Sequence, residues 1–169
     1  YSGSNTVRFK KDEGSDKVHR RTLYTFIKRT APPPQMSTFD APSREACVVR
    51  RERTNSPLQA LLLMNDPQYV ECARGLAERS FSESGPTPTE RAAWMLQQAV
   101  LREPSSTEVQ GLVADYEANL ADYQADPESA KRLLKVGETK ARGDVVPEEF
   151  AAWTMVGNLI LNLDEVINK

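Results

Sequence analysis

Three guanidinium side chains in four positions, Arg50-Arg51-Glu52-Arg53, followed at once by Thr54-Asn55, form the densest polar cluster of this sequence. A guanidinium is a planar fork of N–H donors that matches a carboxylate or phosphate in bidentate fashion. Beside a helix N-terminus, whose backbone N–H groups point outward, three such forks read as an anion clamp. The same forks also suit internal use on Asp40, Glu45, Glu52 or Asp66, and that structural role is the first expectation. His19 is the one imidazole and so the one ready base near neutral pH, although a lone His at a helix start is more often a surface or capping residue. The candidate anion site is therefore Arg50, Arg51, Arg53, Asn55 and His19, with no residue assigned to catalysis.

Other chemistries lack their parts. Zinc held by His and Cys needs about four ligands, and Cys47, Cys72 and His19 are the whole supply, with no CxxC, HExxH or CxxCH spacing. The chain is expected to hold no metal or haem. Ser43 and Ser56 have no GxSxG turn and no second His, which argues against a serine hydrolase. Glu148/Glu149 and Asp164/Glu165 fall on expected helix surfaces, where solvation is the default. No GxGxxG or GxxxxGK[ST] loop occurs. Cys47 lies near the arginines, yet separate buried thiols are expected at Cys47 and Cys72, and a disulfide between them is the minor alternative.

The elements that must position this cluster follow from composition and punctuation. With 169 residues, 39% of them hydrophobic, the chain can fill one core. The net charge of −2 conceals an asymmetry: residues 1–56 contain twelve Lys/Arg against six Asp/Glu, and residues 57–169 ten against eighteen. The simplest consequence is a basic arm docked on an acidic body. The competing reading places an anionic partner on Arg20, Arg21, Lys28, Arg29 and the Arg50–Arg53 cluster. Nucleic acid is not expected, because Tyr24 and Phe26 interleave with basic residues without any reading motif. No apolar run approaches the ~20 residues of a spanning helix. The sequence begins at Tyr1 rather than Met, as a processed chain or a piece of a longer protein would.

In the arm, Leu23, Phe26, Ile27 and Thr30 share a helical face, predicting a short helix from Val18 to about Thr30 that Pro32-Pro33-Pro34 ends. Prolines should hold 31–42 extended with Met36 and Phe39 anchored on a neighbouring core, and Ser43 should open a brief helix through Cys47 and Val49. The body reads more sharply. Asn55-Ser56-Pro57 and Asn65-Asp66-Pro67 each set a capping residue before a first-turn proline, and Thr87-Pro88-Thr89-Glu90 and Ser105-Ser106-Thr107-Glu108 are capping boxes. Behind them run Leu58, Leu61 and Leu62; then Tyr69, Val70, Ala73, Leu76, Ala77 and Phe81; then Ala92, Ala93, Leu96, Ala99 and Val100; then Val109, Leu112, Val113, Tyr116, Leu120 and Tyr123. Asp126-Pro127 starts a shorter helix that Gly137 should terminate, and Pro147 opens a broad stripe from Phe150 and Trp153 to Ile167. The expected fold is all-α: an irregular multi-helix bundle made by residues 57–169, with a proline-rich, mostly non-regular arm, residues 1–56, packed on it as one domain.

Three stretches also resemble a known family: His19 to Thr30; Thr38-Phe39-Asp40-Ala41-Pro42; and Val49-Arg50-Arg51-Glu52-Arg53-Thr54-Asn55-Ser56-Pro57-Leu58-Gln59-Ala60-Leu61 with Asn65-Asp66-Pro67. They resemble the C-terminal part of the planctomycete-type domain of unknown function found in large exported cytochrome-c-associated proteins, and Leu161-Asn162-Leu163-Asp164-Glu165 looks like that family's tail. The resemblance implies a fragment of an extracytoplasmic multidomain protein, with haem-binding or carbohydrate-binding-like modules upstream. No haem ligand carries over to this chain. The expected partners are other domains of the same polypeptide, or else protein or polysaccharide. The leading expectation is a non-catalytic structural or interaction module. The alternative is a ligand-binding or enzymatic part that takes an anionic or polysaccharide-like substrate through the arginines.

Overall fold

The structure is a computed structural model that describes residues 14–20, 22–28, 31–43 and 46–167. Among them the fold is all-α, without strands; a single antiparallel bridge joins Lys28 and Ala31.

The body forms where the punctuation placed it. Helix α3 (Pro57–Asn65) starts behind Ser56, whose hydroxyl accepts from the Gln59 N–H while the Gln59 side chain accepts from the Ser56 N–H. Asp66 ends α3 and caps α4 (Pro67–Glu83), its carboxylate accepting from the Gln68 N–H at 2.9 Å. Reciprocal capping boxes open α5 (Pro88–Val100) at Thr87/Glu90 and α6 (Ser106–Ala125) at Ser105/Glu108. Asp126 caps α7 (Pro127–Leu134). Each cap satisfies an N–H that the first turn leaves orphaned, and in all of these helices but α6 a first-position proline removes another.

Helix α8 (Pro147–Leu161) is the central element, packed on α4, α6 and α7 and also touching α3 and α5. Its Phe150, Trp153, Val156 and Ile160 are fully buried. Phe150 meets Phe81 of α4 edge to face, with ring centres 5.7 Å apart, and Trp153 stacks on Tyr116 of α6 at 4.2 Å. Burying each such side chain contributes about 1.5–3 kcal/mol. At Gly157 a Cβ would come 2.8 Å from the Ala73 carbonyl oxygen, so the close approach of α8 to α4 requires glycine there. The stripe does not run unbroken to Ile167: Asn162 ends α8, and a short α9 (Asp164–Ile167) follows.

The arm departs from expectation. In place of one helix from Val18 to Thr30 there are α1 (Ser15–Val18) and a 3₁₀ turn at Thr22–Tyr24, and Leu23 and Phe26 are 78% and 53% exposed. Arg21, Arg29, Thr30 and Glu45 lie outside the described residues. The proline run is not wholly extended, since Pro34 begins α2 (Pro34–Thr38), whose Met36 is buried. Residues 46–49 are not helical. In α3 the face also differs: Leu58 and Leu61 point to solvent, and Gln59 and Leu63 are the buried residues.

Candidate functional site

The arm folds around Asp40. Its φ of 56° lies in the left-handed region, where Asp is among the few non-glycine residues found with any frequency. The Asp40 carboxylate accepts the Thr54 N–H at 2.8 Å and the Thr54 hydroxyl at 2.8–3.0 Å. Those bonds, with Arg51 nearby, hold the carboxyl below the usual aspartate range. Arg51 donates to the carbonyls of Asp40, at 3.0 Å, and Phe39. The buried Gln59 amide donates to the Thr38 carbonyl at 2.8 Å and to the Thr54 hydroxyl at 3.1 Å. Asn55 donates to Asp164 at 2.8 Å and so ties the arm to α9. The stretches Thr38–Asp40 and Arg51–Gln59, separated by residues 41–50, thus close into one hydrogen-bonded knot at the start of α3.

Arg50, Arg51 and Arg53 come together on the outer side of this knot. With Phe39, Asp40, Glu52, Thr54, Gln59 and Ile167 they line an open cavity of about 460 Å³. All three arginines are exposed. Arg51 clamps backbone carbonyls, not a carboxylate, and no ion pair links the cluster to Glu52 or Asp66 among the described residues. Asp66 accepts instead from Gln35. Arg50 and Arg53 make no hydrogen bond or ion pair with a described residue. The five candidates do not form one constellation: Asn55 is spent on Asp164, and His19 lies elsewhere, its Nε2 3.9 Å from Glu71 Oε1.

Glu71 belongs to a polar centre that the sequence reading missed. Glu71 and Arg74 of α4 are 4% and 2% exposed. The Glu71 carboxylate accepts from the backbone N–H groups of Glu138 and Thr139, at 2.9 and 2.8 Å, and from the Thr139 hydroxyl. Arg74 donates to the carbonyls of Leu134, Val136 and Thr139 at 2.6–2.8 Å. Burial pushes the Glu71 carboxyl up, but the Thr139 hydroxyl and the two N–H groups outweigh it and hold the group below the usual glutamate range. Gly137, with φ of 100°, lets the α7–α8 loop approach this close; a Cβ there would collide with the Glu71 carboxylate. The centre grips the α7–α8 loop. Arg91 plays a comparable part in α5, its guanidinium 4.2 Å from the Phe81 ring centre and 3.0 Å from the Glu149 carboxylate. An Arg three residues after a Glu on a helix reads as a solvated pair, and the only hint in sequence is that Glu71 and Arg74 flank the buried Ala73.

Cys47 and Cys72 are free and exposed, which corrects the expectation of buried thiols and leaves the disulfide unformed. Among the described residues no group of three His, Cys, Asp or Glu side chains could share a metal ion, and no helix is long and apolar enough to cross a membrane. No curated protein and no solved structure matches the chain. The profile of the PSD1 family, described as a protein of unknown function (DUF1553), matches residues 2–116, a span that includes the whole knot and the arginine cluster. The residues that close the knot are therefore family sequence, and the chain belongs to the PSD1 (DUF1553) family.

Proposed function

We propose that the chain is a non-catalytic structural and interaction module of a larger exported multidomain protein, of the planctomycete cytochrome-c-associated kind that its motifs resemble. The observation that carries this reading is the knot: Asp40, Arg51, Thr54, Asn55 and Gln59 are each engaged in holding the arm against α3 and α9. A motif spent on internal bonds serves architecture rather than turnover. Any haem would sit in another domain, and the compartment would be extracytoplasmic. The two exposed free thiols weigh against the latter, since oxidising compartments tend to pair such groups. The test is to express the remainder of the gene's reading frame and titrate it with this chain by calorimetry. Micromolar or tighter association is the expected result. A reading frame without another domain, or no heat of binding, overturns the proposal.

A second reading, an anionic or polysaccharide-like ligand on the arginines, is favoured by one observation: Arg50 and Arg53 face an open cavity and engage no described residue. It predicts saturable binding of a sulfated oligosaccharide that Arg50→Met with Arg53→Met abolishes.

A further inference from the structure

Two cavities meet along the arm. The cationic one described above shares Phe39 and Arg51 with a neighbour of about 430 Å³ whose lining includes Leu23, Ile27, Pro32, Met36, Pro42 and Tyr69. Together they make one furrow, apolar in one half and arginine-lined in the other, with Phe39 and Arg51 as the wall between. Leu23, 78% exposed, stands open to solvent in the apolar half, and Val49, fully exposed, precedes Arg50 at the cationic end. Fixed apolar side chains left in water beside guanidiniums that no described residue engages are what a docking partner covers.

We propose that this furrow binds an extended acidic segment of a partner polypeptide, seating an aliphatic side chain beside Leu23 and Met36 and carboxylates on Arg50 and Arg53. The inference rests on the interaction-module reading and gives its partner a chemistry. Two guanidinium forks with free donors call for carboxylates. Asp40, which also lines the cationic half, is already tied to Thr54, which leaves the arginines in excess over Glu52. The apolar half selects against the other polyanions: a polysaccharide has no aliphatic anchor for it, and a nucleic acid would want stacked aromatic platforms, whereas Phe39 and Tyr69 are tilted at 48° to each other.

The experiment uses the whole chain and short fluorescein-labelled peptides in which one leucine adjoins a run of glutamates, read by fluorescence anisotropy. Saturable binding is expected, weakened about tenfold or more when serine replaces the leucine or glutamines replace the glutamates. Leu23→Ser should remove the leucine dependence, Arg50→Gln with Arg53→Gln the glutamate dependence, and Leu159→Ser in the body should change neither. If the arginine variant fails to fold, the glutamine peptide on the unaltered chain decides the same point. No saturable binding, binding indifferent to these changes, displacement by a sulfated oligosaccharide with tighter affinity, or a dimer in sedimentation that blocks the peptide each overturns the proposal. Association with the rest of the polypeptide that survives all three substitutions would sink the furrow and leave the interaction-module reading standing. Loss of that association in the unaltered chain would sink both.

Discussion

The described residues of the arm and the helices α4 to α8 solve the same problem in opposite ways. The body buries large side chains: Phe150, Trp153, Met95, Leu96 and Ile160 are out of water, and even its charged residues Glu71, Arg74 and Arg91 are enclosed. The arm leaves Leu23, Tyr24, Phe26, Val48 and Val49 exposed and holds its shape through polar side chains bonded to backbone. Apolar burial supplies stability without direction, whereas hydrogen bonds to specific carbonyls fix a path and add only about 0.5–1.5 kcal/mol each. One region is thus held chiefly by burial and the other by directed hydrogen bonds.

The sharpest way to break this contrast is at its strongest point. Trp153→Ala should cost the body about 3–5 kcal/mol in urea unfolding, through lost burial and the cavity left beside Tyr116. An equal loss from Leu23→Ser in the arm would erase the distinction, since an exposed site should shift stability by no more than about 0.5 kcal/mol.

Next in size is the buried pair. Glu71→Ala leaves the two N–H groups of the α7–α8 loop without their acceptor and Arg74 without the carboxylate 3.8 Å from it, and should cost about 3 kcal/mol. The pH dependence has a definite sign. The folded carboxyl of Glu71 titrates below its unfolded value, so its contribution is full above the ordinary glutamate range and is lost as pH falls through the lower folded value. Thermal scans of Glu71→Gln should therefore lack one acid-sensitive component that the unaltered chain shows, and identical acid profiles would refute the assignment.

In the knot, Gln59→Ala should cost about 2 kcal/mol, because the half-buried Thr38 carbonyl and the Ser56 N–H lose their partner. Amide hydrogen exchange should then speed up across residues 38–59 while α5 and α6 stay protected. Faster exchange throughout would mean that the arm and body unfold as one unit. Smallest of all, Arg50→Met with Arg53→Met should move the melting temperature by no more than a degree or two. A fall of several degrees would return these residues to the clamp role that their exposure argues against.

The body was legible because its signals are local. A capping box and the proline behind it lie within four residues, and the stripe of α6 repeats over a span long enough to exclude accident. The arm was not. Leu23, Phe26 and Ile27 have helical spacing, but Thr22, Thr25 and Ile27 are β-branched poor helix formers, and a helix this short is marginal without a core to pack on. The cluster was found by composition, yet its division of labour was hidden: Arg51 turns to carbonyls eleven and twelve residues away, and neighbouring Arg50 and Arg53 do not. Glu71 and Arg74 were invisible for the same reason, since every strong partner they hold lies sixty or more residues downstream.

The central position of α8 has a consequence in time. As the chain leaves the ribosome, α5 and α6 can pair as soon as both are made, but the inner face of α4 must wait for residues 147–161 before Phe150 can reach Phe81 and Gly157 can reach Ala73. At roughly 5–20 residues per second, several seconds pass in which that face stays wet. Ala73 and Ala77, fully buried once α8 docks, offer little to a wrong partner during the wait, so Leu76 and Phe81 carry most of the apolar surface of α4 that waits to be covered.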